Sequence, residues 1–158
     1  MTGGGGGCVM TGSDWLIRAG GVGDLEAVLL LWQQSCALPT VTDDLQSLQA
    51  LLLADAGALL VVEVPVQRTS GSGEVVGSVI AAWNGWRGSF YRLAVRPDHR
   101  RRGLGGRLVR EGEQRLRERG AGRLDAIVAA GEAAATGFWE ALGYERHRDR
   151  VRFVQNFR

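Results

Sequence analysis

The stretch from Ser89 to Arg110 constrains the fold of this chain more than any other part of the sequence. Residues 90–95 are apolar and β-prone, Pro97 ends this run, and a helical pattern begins at Leu104. The glycines between the run and the helix allow the backbone to approach a ligand closely, and the first turn of a helix presents N–H groups without partners. The stretch therefore predicts a strand, an anion-binding loop and a helix in direct succession.

All 19 basic residues of the chain are arginines, and the sequence contains no lysine. A Walker phosphate-binding loop requires a lysine, as do Schiff-base and pyridoxal chemistry, so these functions are excluded. The net charge is only +2, but twelve of the arginines lie between Arg87 and Arg123. The positive charge is therefore concentrated in this segment, where it could bind phosphate, bind nucleic acid or simply be solvated.

The arginines of the predicted helix after the loop are assigned no function. Glu111 and Glu113 precede Arg115 and Arg117 by four residues, a spacing that favours ion pairs on the solvent face of a helix. We therefore predict that these charged residues form the exposed side of this helix.

The length of 158 residues fits a single domain with one sizeable core. Residues 1–13 are rich in glycine and lack the features of a signal peptide, so a flexible leader is predicted there and the domain at 14–158. No apolar run approaches the ~20 residues of a transmembrane helix, and no membrane partner is predicted. The two cysteines and two histidines show neither a disulfide framework nor a zinc pattern. This favours a reduced, cytoplasmic setting and predicts no metal site.

Periodicity along the rest of the chain predicts the element order β-αα-βββ-αβ-αββ. Residues 24–57 have the pattern of two amphipathic helices, and the β-branched runs at 59–64 and 74–83 predict antiparallel strands. A later strand–helix–strand unit requires at least one parallel pair. The last two strands are predicted at 144–147 and 151–157. The expected fold is a mixed α+β domain, with a mostly antiparallel sheet of six to seven strands and flanking helices.

Two motifs in the second half of the chain carry a resemblance to a known family. Residues 100–105 have the spacing Arg-x-x-Gly-x-Gly, and they follow Val95, Arg96 and Pro97 directly. Residues 138–144 read Phe-Trp-Glu-Ala-Leu-Gly-Tyr, an aromatic pair followed by Leu-Gly-Tyr. Together the motifs resemble the GNAT superfamily of N-acetyltransferases, and the element order extends this resemblance over most of the chain.

The resemblance implies a GNAT-like fold and direct transfer of an acetyl group from acetyl-CoA to an amine, without a covalent enzyme intermediate. The loop would hold the pyrophosphate of coenzyme A through N–H groups and arginine charge. The preceding strand would hold the pantetheine and the thioester carbonyl through its backbone. The implied cofactor-binding residues are Leu93, Ala94, Val95, Arg100, Arg101, Arg102, Gly103, Leu104, Gly105, Gly106, Arg107, Phe138 and Trp139.

Other ligands fit the loop less well than coenzyme A. A dinucleotide-binding loop is disfavoured because Leu108 stands where the third glycine belongs and because the loop lies late in the chain. Between this strand and this helix, the arginine cluster favours coenzyme A over nucleic acid, so no nucleic-acid partner is predicted.

Catalytic groups are harder to assign from the sequence. Family members often have a glutamate base near the start of this strand and a tyrosine acid in the later helix, but this chain has Ser89 and Trp139 in those regions. Glu132 is a candidate because it lies near the expected thioester, although a carboxylate at this position is more commonly a helix-start residue that interacts with the helix dipole. Tyr91 is the second candidate, and its strand register decides whether it faces the cleft or the sheet packing. Ordered water could also carry the protons, with catalysis by positioning.

The acceptor is expected across the cleft from the cofactor, against the first two helices. The sequence leaves a small amine, an aminoglycoside-like compound and a protein N-terminus open. The departures from the family pattern also keep open a second hypothesis, a coenzyme-A-binding sensor or accessory module without turnover. The apolar face of residues 151–157 could pair with a second copy, so a homodimer is a further alternative. The candidate acceptor-lining residues are Trp32, Ser35, Leu38, Trp83 and Trp86.

Overall fold

The structure, a computed structural model, describes residues 15–35, 38–65 and 73–157. These ranges form one five-stranded sheet and four α-helices. The predicted leader, residues 1–13, lies outside the described residues. The strands are β1 (Leu16–Ala19), β2 (Leu59–Val64), β3 (Glu74–Trp83), β4 (Gly88–Val95) and β5 (Leu124–Ala126). The helices are α1 (Leu25–Gln34), α2 (Leu45–Ala54), α3 (Leu104–Glu118) and α4 (Ala133–Ala141), and 3-10 turns cover Val22–Asp24 and Pro97–His99.

The five strands lie in the sheet in chain order, from β1 at one edge to β5 at the other. The first four run antiparallel to their neighbours, and β5 runs parallel to β4. The long helix α3 makes the crossover that the parallel pair requires, and it packs on β2, β3 and β4. The mixed α+β class and the mostly antiparallel sheet are confirmed.

The predicted strand pair at the end of the chain is wrong. Residues 144–147 and 151–157 form no strand, so the described sheet has five strands instead of six or seven. The side chains of Phe153 and Phe157 are both 91% exposed, because the alternating pattern of this segment meets no sheet on which to pack. β5 is only three residues long and offers few hydrogen bonds to another strand, and the polar run at 145–150 separates the segment from the core.

The sheet separates two apolar cores. α3 and α4 cover one face, which we call the α3 face, and α1 and α2 cover the other, which we call the α1–α2 face. Among the described residues, no helix has the length and apolar character needed to cross a membrane. Buried residues of the α3 face include Val62, Val76, Phe90, Leu108 and Leu116. Those of the α1–α2 face include Val28, Leu48, Val61, Ile80 and Ala94.

Candidate active site

β4 contains a β-bulge near the centre of the sheet. Tyr91 pairs with one residue of β3 and Ala94 with the residue two positions away, so Arg92 and Leu93 together lie opposite a single β3 residue. Arg92 has a φ of 53° and is one of two non-glycine residues with a positive φ in the described ranges. A bulge bends its strand and increases the local twist. The second half of β4 is thereby turned away from its earlier direction.

β4 also loses its other neighbour at this point. The parallel pairing with β5 ends at Phe90, and residues 91–95 have no strand beside them on that side among the described elements. The Arg96 N–H donates to the Val76 carbonyl at 2.8 Å. Because backbone groups alternate in an antiparallel pair, the N–H and C=O of Val95 point away from β3 and into the gap between β4 and β5.

The loop after β4 presents a row of free backbone N–H groups. Arg101 and Gly103 have φ angles of 61° and 76°, and Gly103 immediately precedes α3. Within the part of the chain that the structure describes, the N–H groups of residues 101–106 donate to no acceptor. The next N–H, that of Arg107, donates to the Gly103 carbonyl at 3.1 Å. Consecutive free N–H groups at a helix N-terminus form a cradle for an anion with several oxygens.

Arginine side chains surround this cradle, which comprises residues 101–106. The Arg100 Nε donates to the Val95 carbonyl at 3.1 Å and so bridges the loop to the end of β4. The Arg102 guanidinium carbon lies 5.7 Å from the ring centroid of Trp15. Arg101 and Arg107 are exposed and form no ion pair with any described residue. Their charges are therefore available to a ligand at the cradle.

Arg96 holds the turn that leads into the cradle. Its Nε and Nη2 donate to the two carboxylate oxygens of Asp98 at 2.7 and 3.1 Å, and its Nη1 pairs with Glu74 on β3. The hydrogen bonds from Arg96 and His99 hold the pKa of Asp98 below its usual range. The carboxylate therefore stays charged at neutral pH, and the turn is held by charge.

α4 lies directly behind the cradle. A Cβ atom on Gly105 would lie 3.2 Å from Cε2 of Phe138, so glycine at this position permits the close approach of α4 to α3. Phe138 packs edge-on against Trp139, with ring centroids 5.4 Å apart. Trp139 in turn contacts the rings of Phe90 and Tyr144, at 5.6 and 4.9 Å between centroids. Phe138 thus lies beside the cradle, whereas Trp139 belongs to the aromatic core.

The sequence matches the model of the Acetyltransferase (GNAT) family over residues 26–144. The chain belongs to this family. An acetyltransferase of Pectobacterium atrosepticum is 36% identical to it over 122 residues, which cover 77% of this chain and 82% of that protein. The family and these relatives confirm the prediction that the chain is an N-acetyltransferase enzyme.

Solved structures share the fold at lower sequence identity. Ard1 from Thermoplasma volcanium has a TM-score of 0.70 and 21% identity, and the match covers 82% of this chain and 81% of that chain. AAC(6')-Iy, solved in complex with the bisubstrate analogue CoA-S-monomethyl-acetylneamine, has a TM-score of 0.69 and 20% identity, with 91% and 99% coverage. The GNAT fold predicted from the sequence is confirmed.

The two predicted catalytic residues of this acetyltransferase lie in different elements. Tyr91 pairs with Ile80, whose side chain is part of the α1–α2 core, so Tyr91 lies on the α1–α2 face, where it is 41% exposed. Glu132 immediately precedes α4 and is exposed, and its side chain caps no N–H of the helix. The strand register therefore places Tyr91 on the α1–α2 face. The catalytic role of Tyr91 and Glu132 stays a prediction.

Tyr144 is held by a polar contact inside the aromatic core. Its hydroxyl donates to Oε1 of Glu113 at 2.8 Å. Burial, together with the hydrogen bond to Glu113, raises the pKa of Tyr144 above its usual value. The phenol therefore keeps its proton and links the end of α4 to α3.

The predicted acceptor-lining residues are only partly where they were expected. Trp32 is 4% exposed, and its Nε1–H donates to the hydroxyl of Ser78 at 2.9 Å, so it is a core residue of the α1–α2 face. The prediction for Trp83 is wrong, because this side chain packs against the α3 core on the opposite side of the sheet. Trp86 lies in the β3–β4 turn, at the end of β4 away from the cradle. Leu38 is exposed in the connection between α1 and α2.

Sequence reasoning missed Arg92. Its Nε donates to Oδ1 of Asp43 at 2.9 Å, its Nη2 makes a second bond to Oδ2, and its guanidinium carbon lies 5.6 Å from the ring centroid of Trp32. The two charged side chains are 16% and 15% exposed. The signal that could have revealed the pair is a charged residue in the middle of an apolar strand, since such a charge needs a partner.

Proposed function

We propose that this acetyltransferase takes its acetyl group from acetyl-CoA and transfers it directly to a primary amine of a small molecule or a protein N-terminus. The observation that carries this proposal is the row of free N–H groups at residues 101–106, beside an unpaired edge of β4. A pyrophosphate offers several oxygens within a few ångströms, and charge-assisted hydrogen bonds to it contribute about 1.5–3 kcal/mol each in good geometry. Arg101 and Arg107 would supply charge from outside the cradle.

The backbone of β4 would hold the pantetheine arm in the gap. The N–H of Val95 is directed away from β3, which supports this role, whereas its C=O accepts a hydrogen bond from the Arg100 side chain. Ala94 pairs with Ser78 in the sheet and its side chain is buried in the α1–α2 core, so these contacts do not support its predicted role in cofactor binding. Leu93 alternates with Ala94 and would therefore share the role of Val95. Phe138, next to the cradle, would contact the ligand from the side of α4.

The reaction forms a C–N bond and breaks the C–S bond of the thioester. The attacking ammonium must lose a proton, and the leaving thiolate must gain one. Tyr91 on the α1–α2 face and Glu132 at the start of α4 are the proposed groups, either directly or through water. The position of Trp139 in the core and the hydrogen bond from Tyr144 to Glu113 leave no tyrosine at the place expected for the acid. The proton transfers are therefore proposed for Tyr91, Glu132 and ordered water.

Isothermal titration calorimetry with acetyl-CoA tests the donor. In the variant Gly105→Glu a carboxylate enters the cradle region against Phe138, and we expect acetyl-CoA affinity to fall by more than about tenfold, a loss of about 1.4 kcal/mol or more. Gly137→Glu is the matched control, because a Cβ on this α4 glycine meets no atom within 4 Å. Circular dichroism verifies that both variants are folded. A parent protein that does not bind acetyl-CoA, or equal binding by Gly105→Glu, would falsify the proposal.

Thiol release tests the acceptor. The panel consists of small amines, aminoglycosides and peptides with free N-termini, each at saturating acetyl-CoA. Release with one class assigns the acceptor, whereas acetyl-CoA binding without release across the panel would contradict the proposed acceptor classes.

A homodimer and a cytoplasmic location are further proposals. Val151, Phe153, Val154 and Phe157 are all exposed, and such an apolar segment could pair with the same segment or a strand edge of a second copy. Light scattering after size-exclusion chromatography is expected to give a dimer for the full chain and a monomer for Phe153→Asp. A monomeric parent refutes this proposal. Cell fractionation of the tagged protein checks the location.

A further inference from the structure

We propose that Arg92 is a positioning residue, whose ion pair with Asp43 holds both the bulge of β4 and the connection between α1 and α2. One side chain would then tie the backbone that receives the thioester to the wall of the acceptor site. The role of the bulge in binding the thioester rests on the proposed function. The ion pair and its effect on the α1–α2 connection do not depend on that proposal.

The backbone at Arg92 is in a conformation that favours glycine. Its φ of 53° lies in the left-handed region, where the Cβ of an L-residue is crowded. β-Bulges that need this conformation commonly place glycine there. A non-glycine residue persists in it only when the surrounding contacts hold it. Contacts of the Arg92 side chain must therefore compensate for its backbone.

Those contacts come from one carboxylate, one hydroxyl and one aromatic ring. The planar guanidinium binds both oxygens of Asp43, a fork geometry that a lysine cannot reproduce. Its Nη2 also donates to the hydroxyl of Thr40 at 3.3 Å. Below it lies Trp32, which is itself fixed by the hydrogen bond to Ser78 at 2.9 Å. The pair is mostly buried, so solvent and salt screen it less than a surface pair.

Asp43 uses the same two oxygens to organise its own segment. Its Oδ2 accepts the N–H of Thr40 at 2.8 Å, and its Oδ1 accepts the Thr40 hydroxyl at 3.2 Å. Apolar anchoring is weak here, because Leu38 is 73% exposed and Val41 is 41% exposed. The ion pair with Arg92 is therefore the main link that the described contacts show between this connection and the sheet.

The ion pair and the cradle lie in different parts of the site, so loss of the ion pair should have little effect on donor binding at the cradle. The cradle lies beyond the C-terminal end of β4, whereas the pair lies on the α1–α2 face next to Tyr91. Breaking the pair should loosen residues 38–44 and raise the KM for the acceptor. Acetyl-CoA affinity should change little in Arg92→Gly, because glycine accepts the positive φ of the bulge and the cradle is not altered.

Hydrogen exchange in the protein without ligand tests the link directly. Residues 38–44 are expected to exchange at least about tenfold faster in Arg92→Gly and Asp43→Asn than in the parent. The matched control is Arg87→Gly, which removes an arginine stacked on Trp86 at the other end of β4, and exchange at 38–44 should stay as in the parent. Unchanged exchange in both Arg92→Gly and Asp43→Asn would overturn the proposal.

Two further measurements separate positioning from a general loss of structure. Glycine usually destabilises a strand relative to alanine, but Arg92→Gly should be at least as stable as Arg92→Ala because it accepts the positive φ. The reverse order would overturn the compensation argument. In calorimetry, the acetyl-CoA affinity of Arg92→Gly should stay within about threefold of the parent, and a larger loss would contradict the proposal that Arg92 positions the acceptor side of the site. If the parent itself binds no acetyl-CoA, the donor proposal fails, but the exchange experiment still tests whether the ion pair holds residues 38–44.

Discussion

Gly112, in the middle of α3, lies against the ring of Phe90 on β4. A Cβ at this position would lie 2.5 Å from Cε1 of Phe90 and 3.1 Å from Cβ of Ala81. Carbon atoms in contact are about 3.5–4.0 Å apart, so the ring would have to move by about an ångström. Phe90 is 2% exposed and packs against Trp139, which leaves its ring little room. We therefore expect Gly112→Ala to destabilise the protein.

The size of this effect follows from two opposing contributions. Alanine is about 1 kcal/mol more favourable than glycine inside a helix, whereas overpacking a core costs about 1–3 kcal/mol. The expected net loss in the free energy of unfolding is about 0–2 kcal/mol. In Gly137→Ala the same substitution is made in α4, where the new Cβ meets no atom within 4 Å. There only the helix gain applies, and we expect about 0.5–1 kcal/mol of stabilisation.

Urea unfolding followed by circular dichroism measures both variants against the parent. The two identical substitutions should shift the midpoint in opposite directions, with m-values unchanged. If Gly112→Ala proves as stable as Gly137→Ala, then the Phe90 ring is free to move, and the tight packing of α3 on β4 at Gly112 is refuted.

Two other contacts give predictions that unfolding experiments can check. Ser78→Ala leaves the buried Nε1–H of Trp32 without its acceptor and should lower the free energy of unfolding by about 1–3 kcal/mol, and adding Trp32→Phe should cost less than the sum of the single changes. The hydrogen bonds from Arg18 lower the pKa values of Asp24 and Glu63. These two carboxylates contribute their full stabilisation of the folded state at pH values above the unfolded pKa of about 4. This contribution is lost as the pH falls through their lower pKa values in the folded protein. Arg18→Met should therefore flatten the acid dependence of stability, and an unchanged slope speaks against these pairs.

The helices and the first five strands could be predicted because their signals are local. Periodicity within α3 and alternation within β3 depend only on neighbouring residues, and the cradle could be predicted because its N–H groups come from one continuous loop. The prediction of the last two strands failed because strand pairing depends on residues far away in the sequence. Alternation at 151–157 shows that the segment has an apolar face, but it does not specify a strand to pair with.

The side chains of α3 show the same limit within a single helix. The predicted ion pair between Glu113 and Arg117 is present at 3.6 Å, with Arg117 exposed and Glu113 mostly buried beside Tyr144. Arg115 instead turns inward, where it pairs with Asp55 and donates to the Ala81 carbonyl at 2.8 Å. Helical spacing predicts which residues can meet within one helix, but a partner from a distant segment competes for the same side chain and is invisible to it.

The two halves of the candidate site therefore differ in what a sequence can reveal. The proposed donor half is built from consecutive residues, and glycine and arginine at fixed spacing signal it directly. The proposed acceptor half joins β4 to the connection between α1 and α2 through Arg92 and Asp43, which are far apart in the chain. Its bulge carries an arginine where glycine would have marked the positive φ, so neither the bend nor its partner has a local signal. This is the physical reason why the glycine–arginine loop indicates the family of the chain from a few consecutive residues, while the acceptor has to be found by experiment.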